Sequence, residues 1–341
     1  MFIEMQASEK KRLLRIAFGT TIGFCICKLM NWPYGVFFTV FPMLLLGMIP
    51  TFNRTLAIEF IAGAFISAAE MWVLQTFFKP FPVAMTLAVF FIFGYHFRFM
   101  LKTKYFLLWA SGLITLSTLL NFASYDAGQA TDMVVATVLA AIISVASAYL
   151  LYWLIPESAE SANSSSAATS PTAAQINHRT LLGASLATIS FLVFQIFDLK
   201  DSLSAQVATM LILFPMTYQG SIANAKKRAK GVAYGCCLAL IMQILMYTLI
   251  GNFFLVAISL FITVMITAYF HLVERSGSGI GFGALTTIGI LYGQYLTPHS
   301  DIFYSAAYRF SSVIIAMGLV IMTAYLIDLS LNKFKSTCNY S

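Results

Sequence analysis

The stretch Thr131-Asp-Met-Val-Val-Ala-Thr-Val-Leu-Ala-Ala-Ile-Ile-Ser-Val-Ala-Ser-Ala-Tyr-Leu-Leu-Tyr-Trp-Leu-Ile155 runs for 25 residues with a single charge, Asp132, near its start. A helix needs roughly 17 to 25 mostly apolar residues to cross the hydrocarbon core of a bilayer. The run is long enough, and it lacks the polar–apolar alternation of a membrane barrel strand. It predicts a spanning helix. Outward from it, comparable runs fall at about 14–30, 33–50, 56–77, 82–100, 104–121, 180–198, 203–219, 231–250, 252–272, 279–296 and 303–331.

The composition agrees: of 341 residues, 60% are apolar and 10% charged, with mean hydropathy +0.84, whereas a soluble domain carries about 25% charged residues. The predicted fold class is an all-α integral membrane protein with about twelve transmembrane helices. The second and eighth runs are short and marked by Pro33, Pro42, Pro50 and Pro215, so one of them is a candidate broken or re-entrant helix. Glu9-Lys10-Lys11-Arg12 leads through an apolar run to Trp32-Pro33-Tyr34 with no small-residue cleavage pattern, which reads as a first helix and not a removable signal.

Lysine and arginine set the orientation. With both termini in the cytoplasm of a bacterial cell, the inner side holds Lys10, Lys11, Arg12, Arg15, Arg54, Arg98, Lys102, Lys104, Arg179, Lys226, Lys227, Arg228, Lys230, Arg275, Lys333 and Lys335, 16 of the 20 basic residues. Only Lys28, Lys79, Lys200 and Arg309 fall toward the outside. The net charge of +7 is therefore topogenic. Lys226-Lys227-Arg228-x-Lys230 would suggest nucleic acid in a soluble chain; here it reads as a cytoplasmic loop facing anionic membrane lipid, and no nucleic-acid partner is expected.

The chain also repeats itself. Arg15-Ile-Ala-Phe-Gly19 recurs as Arg179-Thr-Leu-Leu-Gly183, Ala62-Gly63-Ala64 aligns with Lys230-Gly231-Val232, His96 with His271, and Ala148-Tyr149-Leu150 with Ala324-Tyr325-Leu326. The offset drifts in one direction, from 164 to 176. Between the halves, Glu157-Ser-Ala-Glu160-Ser-Ala-Asn-Ser-Ser-Ser-Ala-Ala-Thr-Ser-Pro171-Thr is too polar and repetitive to pack and reads as a flexible linker. The expected organisation is two parallel six-helix repeats, 1–156 and 178–341, around a cytoplasmic linker at 157–177. Six is even, so both repeats insert with the same polarity and a substrate path is expected near their interface at mid-depth.

Trp32-Pro33-Tyr34-Gly-Val-Phe-Phe-Thr39-Val-Phe-Pro42, followed by Asn53-Arg54-Thr55 and Gly63, resembles the opening of the fusaric acid resistance and aromatic acid exporter family. Members of that family carry a Pro-Tyr-aromatic stretch and a following threonine in the second helix, and the 6+6 duplication matches too. They also place a substantial cytoplasmic domain between the halves, where this chain has only the linker, so it looks like a compact variant. The resemblance implies efflux of small aromatic carboxylates across the inner membrane, often with a periplasmic adaptor protein. The membrane unit is also similar to that of plant malate channels, which keeps a passive channel open. Assembly as a homo-oligomer is open as well.

An ionisable group inside a span costs roughly 2.5 to 3.5 kcal/mol at mid-helix, so each one needs a reason. Glu70, about two thirds along the third helix among Ala68, Ala69, Met71 and Trp72, is the candidate proton-binding carboxylate; the bland alternative is a headgroup position or a pair with Lys28 or Lys79. Glu59 is expected to pair with Arg54. Arg309, about seven residues or roughly 10 Å inside the twelfth helix, suits bidentate carboxylate binding. Asp132 lies next to its repeat counterpart and is the candidate exchange partner and second coupling carboxylate.

Ser276-Gly277-Ser278-Gly279-Ile-Gly281-Phe-Gly283 fails as a nucleotide loop, since no strand precedes it and no Lys-Thr follows. It reads as a close helix-packing surface or as an unwound helix start whose free N–H groups, at Gly279 and Gly281, attract an anion. Trp32, Tyr34 and Phe38 are candidates for stacking on a substrate ring, and Thr39 and Gln206, on repeat-related helices, are candidates for lining the path or bonding neighbouring helices. Trp32, Trp109 and Trp153 also mark interfaces by position.

His96 and His271 lack metal-ligand spacing and are expected to pack at cytoplasmic helix ends; the five cysteines lack zinc-type spacing, so no metal and no cofactor is expected. No Ser-His-Asp context, prenyl-diphosphate motif or His-x4-Asp pattern points to an enzyme. A major-facilitator transporter would carry a Gly-x3-Asp-Arg-type loop after helix two, and Pro50-Thr-Phe-Asn-Arg-Thr lacks it. The expected function is a proton-coupled secondary exporter of small, aromatic-type organic acids. A passive organic-anion channel and a non-transporting membrane scaffold are the alternatives.

Overall fold

A computed structural model describes residues 5–49, 51–123, 127–157, 172–197, 203–246, 251–274, 279–295, 302–334 and 336–337. Each predicted run is one helix: α1 (Ala7–Leu29), α2 (Gly35–Met48), α3 (Arg54–Phe78), α4 (Pro82–Lys102), α5 (Phe106–Ala123), α6 (Ala127–Leu154), α7 (Ala173–Ile196), α8 (Leu203–Leu213), α9 (Tyr218–Leu245), α10 (Phe253–Glu274), α11 (Ile280–Ile290, continued by a π-helical turn at Leu291–Tyr295) and α12 (Ile302–Leu331). Among the described residues eight helices are long and apolar enough to cross a membrane. The helices α2, α8 and α11 have 14, 11 and 11 residues. At 1.5 Å per residue they reach only about 16 to 21 Å, short of a hydrocarbon core of roughly 30 Å.

Two boundaries differ from expectation. The helix α7 starts at Ala173, inside the expected linker, because Thr172 and Gln175 form a capping box: the Gln175 N–H donates to Thr172 Oγ1 (3.3 Å) and the Thr172 N–H to Gln175 Oε1 (3.1 Å). The helix α9 starts at Tyr218, with the Gly220 N–H donating to Thr217 Oγ1 (3.2 Å), so the basic run 226–230 is helical and not a loop. Alanine, lysine and arginine are strong helix formers, and no proline interrupts them.

The helices gather into two compact units, and each unit draws on both halves of the sequence. Unit 1 comprises residues 1–57, 135–165 and 226–311; unit 2 comprises 58–134, 166–225 and 312–341. In unit 1, α1 packs on α2 and α10, α10 on α11, and α11 on α2. In unit 2, α7 packs on α8 and α4, α4 on α5, and α5 on α8. Shifting each helix by six converts one set of pairings into the other. Individual residues follow the same rule. A Cβ on Gly63 would strike Ser111 Oγ and Leu108 O of α5, and one on Gly231 would strike Ile280, Gly283 and Ala284 of α11. Both glycines let backbones approach closely, the means by which helices associate where no hydrophobic force separates them from lipid.

Pro42 sits inside α2. Lacking an N–H, it leaves the Phe38 carbonyl without its intrahelical donor. That oxygen lies against Gly23 of α1, where a side chain would collide with it.

Candidate functional site

Unit 2 contains a carboxylate–histidine pair. Glu70 of α3 lies with Oε2 2.9 Å and Oε1 3.2 Å from Nε2 of His96 on α4, and His96 Nδ1 is 3.1 Å from the carbonyl oxygen of Trp109 on α5. His96 is fully buried. Gly112 gives it room, since a Cβ there would stand 3.0 Å from His96 Cε1. The Trp109 and Tyr95 rings present edges to the imidazole at 5.4 and 6.4 Å. Glu70 therefore pairs with a histidine and not a lysine, and His96 is a partner in the site rather than interfacial packing.

The geometry counts protons. A carbonyl oxygen only accepts, so Nδ1 must carry a hydrogen. The Nε2–Glu70 contact then needs one further proton, held either as Nε2–H donating to the carboxylate or as a carboxyl O–H donating to Nε2. Without it, a nitrogen lone pair would face a carboxylate. The pair is a one-proton site.

A second pair of this kind, not recognised in the sequence, lies elsewhere in unit 2. His178 of α7 is fully buried, with Nδ1 2.7 Å from the Thr337 carbonyl and Nε2 3.0 Å from Asp328 Oδ1 on α12; Asn332 Nδ2 donates to Asp328 Oδ2 at 3.1 Å. Residues 150 positions apart meet here, and no local signal announces them. These two are the only ion pairs within 4 Å among the described residues.

Other charges serve helix ends. The Glu59 carboxylate, buried, faces the Leu107 and Leu108 N–H groups in the first turn of α5, while Arg54 is exposed, so the expected Glu59–Arg54 pair is replaced by an N-terminal cap. Glu274 Oε2 likewise accepts from the Gly281 N–H at 3.0 Å in the first turn of α11. One N–H required by the anion-binding reading of Gly279 and Gly281 is thus already taken by the chain. A Cβ at Gly279 would overlap Glu274, and one at Gly281 the His271 backbone, in keeping with the packing role of these glycines. At the other end of α2, Arg12 Nε donates to Leu46 O (3.3 Å), Arg12 Nη2 to Gly47 O, and His271 Nε2 to Gly47 O (2.9 Å). These donors satisfy the last carbonyls of α2.

The remaining predicted residues divide. In unit 1, Trp32 and Phe38 come together with rings 5.4 Å apart, and Tyr34 stands beside them in the left-handed region at φ 58°, uncommon for a tyrosine. Thr39 is fully buried and its Oγ1 donates to Gly289 O of α11 at 2.6 Å. In unit 2, Gln206 is fully buried, its Nε2 donates to Ser117 Oγ of α5 and its Oε1 accepts from Ser190 Oγ at 3.3 Å. Thr39 on α2–α11 and Gln206 on α8–α5 are repeat-related and both bond neighbouring helices. Asp132 is exposed on α6. The Arg309 side chain lies outside the described residues. No three His, Cys, Asp or Glu side chains gather around a metal-sized space among the described residues.

A family model described as a protein of unknown function (DUF2955) matches residues 12–151, and one described as fusaric acid resistance protein-like matches residues 186–323. The two intervals fall one on each repeat. The two matches support the resemblance to the fusaric acid resistance and aromatic acid exporter family. No curated protein and no solved structure matches the chain. The fusaric acid resistance protein-like match suggests a membrane transporter of that type, and with the long apolar helices a multi-pass membrane protein. For a fusaric acid resistance-type transporter, a buried one-proton site is the feature that bears most directly on energy coupling.

Proposed function

We propose that the protein exports small organic acids, as anions with an adjoining aromatic ring, across a bacterial inner membrane, with both termini cytoplasmic, and that the Glu70–His96 pair carries the coupling proton. The single observation behind the coupling is the histidine held between a carboxylate and a carbonyl, which stores one proton in the geometry described. Loss of that proton sets a lone pair against a negative charge and drives Glu70 away from His96. Proton occupancy is thereby linked to the placement of α3 against α4, a differential interaction of the sort that shifts a two-state equilibrium.

The test is concentrative transport of benzoate into proteoliposomes under an imposed pH gradient. Glu70→Gln keeps the shape and a hydrogen bond to Nε2 but carries no exchangeable proton. Gradient-driven accumulation should fall to simple equilibration, while benzoate exchange at equal concentrations persists. Accumulation at the wild-type level in Glu70→Gln would remove the pair from the mechanism. Wild-type vesicles that only dissipate a benzoate gradient, and never concentrate it, would establish the passive channel instead.

A further inference from the structure

Arg15 of α1 is 2% exposed, and among the described residues no carboxylate lies within 4 Å of it, although Glu157 acts electrostatically on its neighbours Arg12 and Tyr152. Its Nε donates to Lys11 O at a long 3.4 Å, its guanidinium lies 3.9 Å above the Tyr152 ring of α6, and its buried Nη1 has no hydrogen-bond partner among the described residues. Both bonding nitrogens of its neighbour Arg12 are committed to the end of α2. A desolvated guanidinium with an open donor is expensive in a membrane protein, and one turn of α1 here holds two arginines. Attraction of basic residues to the cytoplasmic side explains their presence in the segment but not the burial of Arg15.

The duplication supplies a comparison. Arg15 corresponds to Arg179, and the anchor Ala148-Tyr149-Leu150 to Ala324-Tyr325-Leu326 places Tyr152 opposite Asp328. In unit 2 that position supplies a carboxylate, bound to His178 and Asn332, while Arg179 itself keeps a buried Nε with no hydrogen-bond partner among the described residues. In unit 1 the same position is a tyrosine, and the cation keeps an unmet N–H. We propose that Arg15 is an oxyanion site: a carboxylate or phosphate oxygen from outside the chain meets its open Nη1. Given the exporter reading, on which this assignment of source rests, the oxyanion is the carboxylate of the exported acid. The aromatic wall fits that ligand. The Tyr152 ring stacks on Phe52 at 5.3 Å, and Phe52 meets Tyr149 edge-on at 5.0 Å, which leads from the guanidinium to an exposed ring on which an acid's apolar body can rest. An anionic phospholipid headgroup offers the same oxygen chemistry from a different source.

The experiment measures benzoate affinity of the purified full-length protein in neutral detergent by calorimetry, alongside thermal stability, for the wild type, Arg15→Lys, Arg15→Gln and Tyr152→Asp. Arg15→Gln should weaken benzoate roughly 10- to 100-fold, the scale of a lost charge-assisted hydrogen bond, and Arg15→Lys should fall between. Tyr152→Asp sets an internal carboxylate in place of the ring that lies under the Arg15 guanidinium; it should abolish benzoate binding while unfolding at or above the wild-type temperature, which keeps the test decisive if Arg15→Gln folds poorly. Unchanged affinity in both Arg15→Gln and Tyr152→Asp overturns the site, and if those variants still concentrate benzoate in proteoliposomes the exporter reading survives it. Absence of benzoate transport in the wild type defeats the exporter reading instead. In that case stabilisation by phosphatidylglycerol over phosphatidylcholine nanodiscs, lost in Arg15→Gln, upholds the oxyanion site with lipid phosphate as its source; no anion effect in either setting overturns it.

Discussion

Replacement of Gly231 by alanine tests the packing that relates the two repeats. A Cβ at this position of α9 would press on Ile280 O and stand 2.9 Å from Gly283 Cα and 3.0 Å from Ala284 N, all backbone atoms of α11, where ordinary contact begins near 3.4 Å. No side chain can turn aside, so α9 and α11 must separate by at least 0.4 to 0.5 Å, the differences 3.4 − 3.0 and 3.4 − 2.9. Overpacking of that kind costs about 1–3 kcal/mol, and alanine returns about 1 kcal/mol of helix propensity, so the net loss should be about 0–2 kcal/mol. Gly318 of α12 is the control: a Cβ there meets nothing within 4 Å, and Gly318→Ala should be neutral or stabilising by up to about 1 kcal/mol. Unfolding titrations in mixed micelles, followed by tryptophan fluorescence, measure both. Equal stability of the two variants would show that α9 and α11 do not meet at Gly231, and with it the correspondence to Gly63 on α5 would fall.

Two other substitutions probe the polar contacts. Glu274→Gln removes the charge that meets the Gly281 N–H at the start of α11, and thermal unfolding should reveal a loss of about 0.5–2 kcal/mol, reduced at high salt because Glu274 is only half-buried; full stability would mean that the cap contributes nothing. Thr39→Val keeps the shape of a buried side chain but deletes its bond to Gly289 O, so stability should drop by about 1 kcal/mol with the affinity for benzoate unchanged. A selective loss of affinity in Thr39→Val would instead return Thr39 to the substrate path.

Most of the helices were legible because each must satisfy the bilayer by itself. Hydropathy and length along one segment decide whether it spans, and no partner is needed for that. The same local logic marked α2 and α8 as short and singled out Glu70 as a carboxylate with too little company. Gly63 and Gly231, one of the four anchor pairs, both stand where a side chain would meet a neighbouring helix, α5 and α11 respectively. Boundaries failed where polar side chains extend helices past the apolar run, at Ala173 and Tyr218.

The partners of those residues were not legible. Counting along straight helices places Glu70 8 residues before the end of α3 and His96 14 residues after the start of α4, about 9 Å apart in depth at 1.5 Å per residue, so the count does not announce their contact. His178 and Asp328 are separated by 150 positions, and Arg15 is indistinguishable in sequence from any other basic residue that follows the positive-inside rule. The interleaving of the halves, α1 and α2 with α10 and α11, and α4 and α5 with α7 and α8, likewise lies beyond any single segment. Sequence fixes what each helix must do in lipid, because that requirement acts on one helix at a time. Which helix faces which is decided by close packing at small residues and by the few polar groups that must find one another in a medium without water, and those are properties of the assembled chain alone.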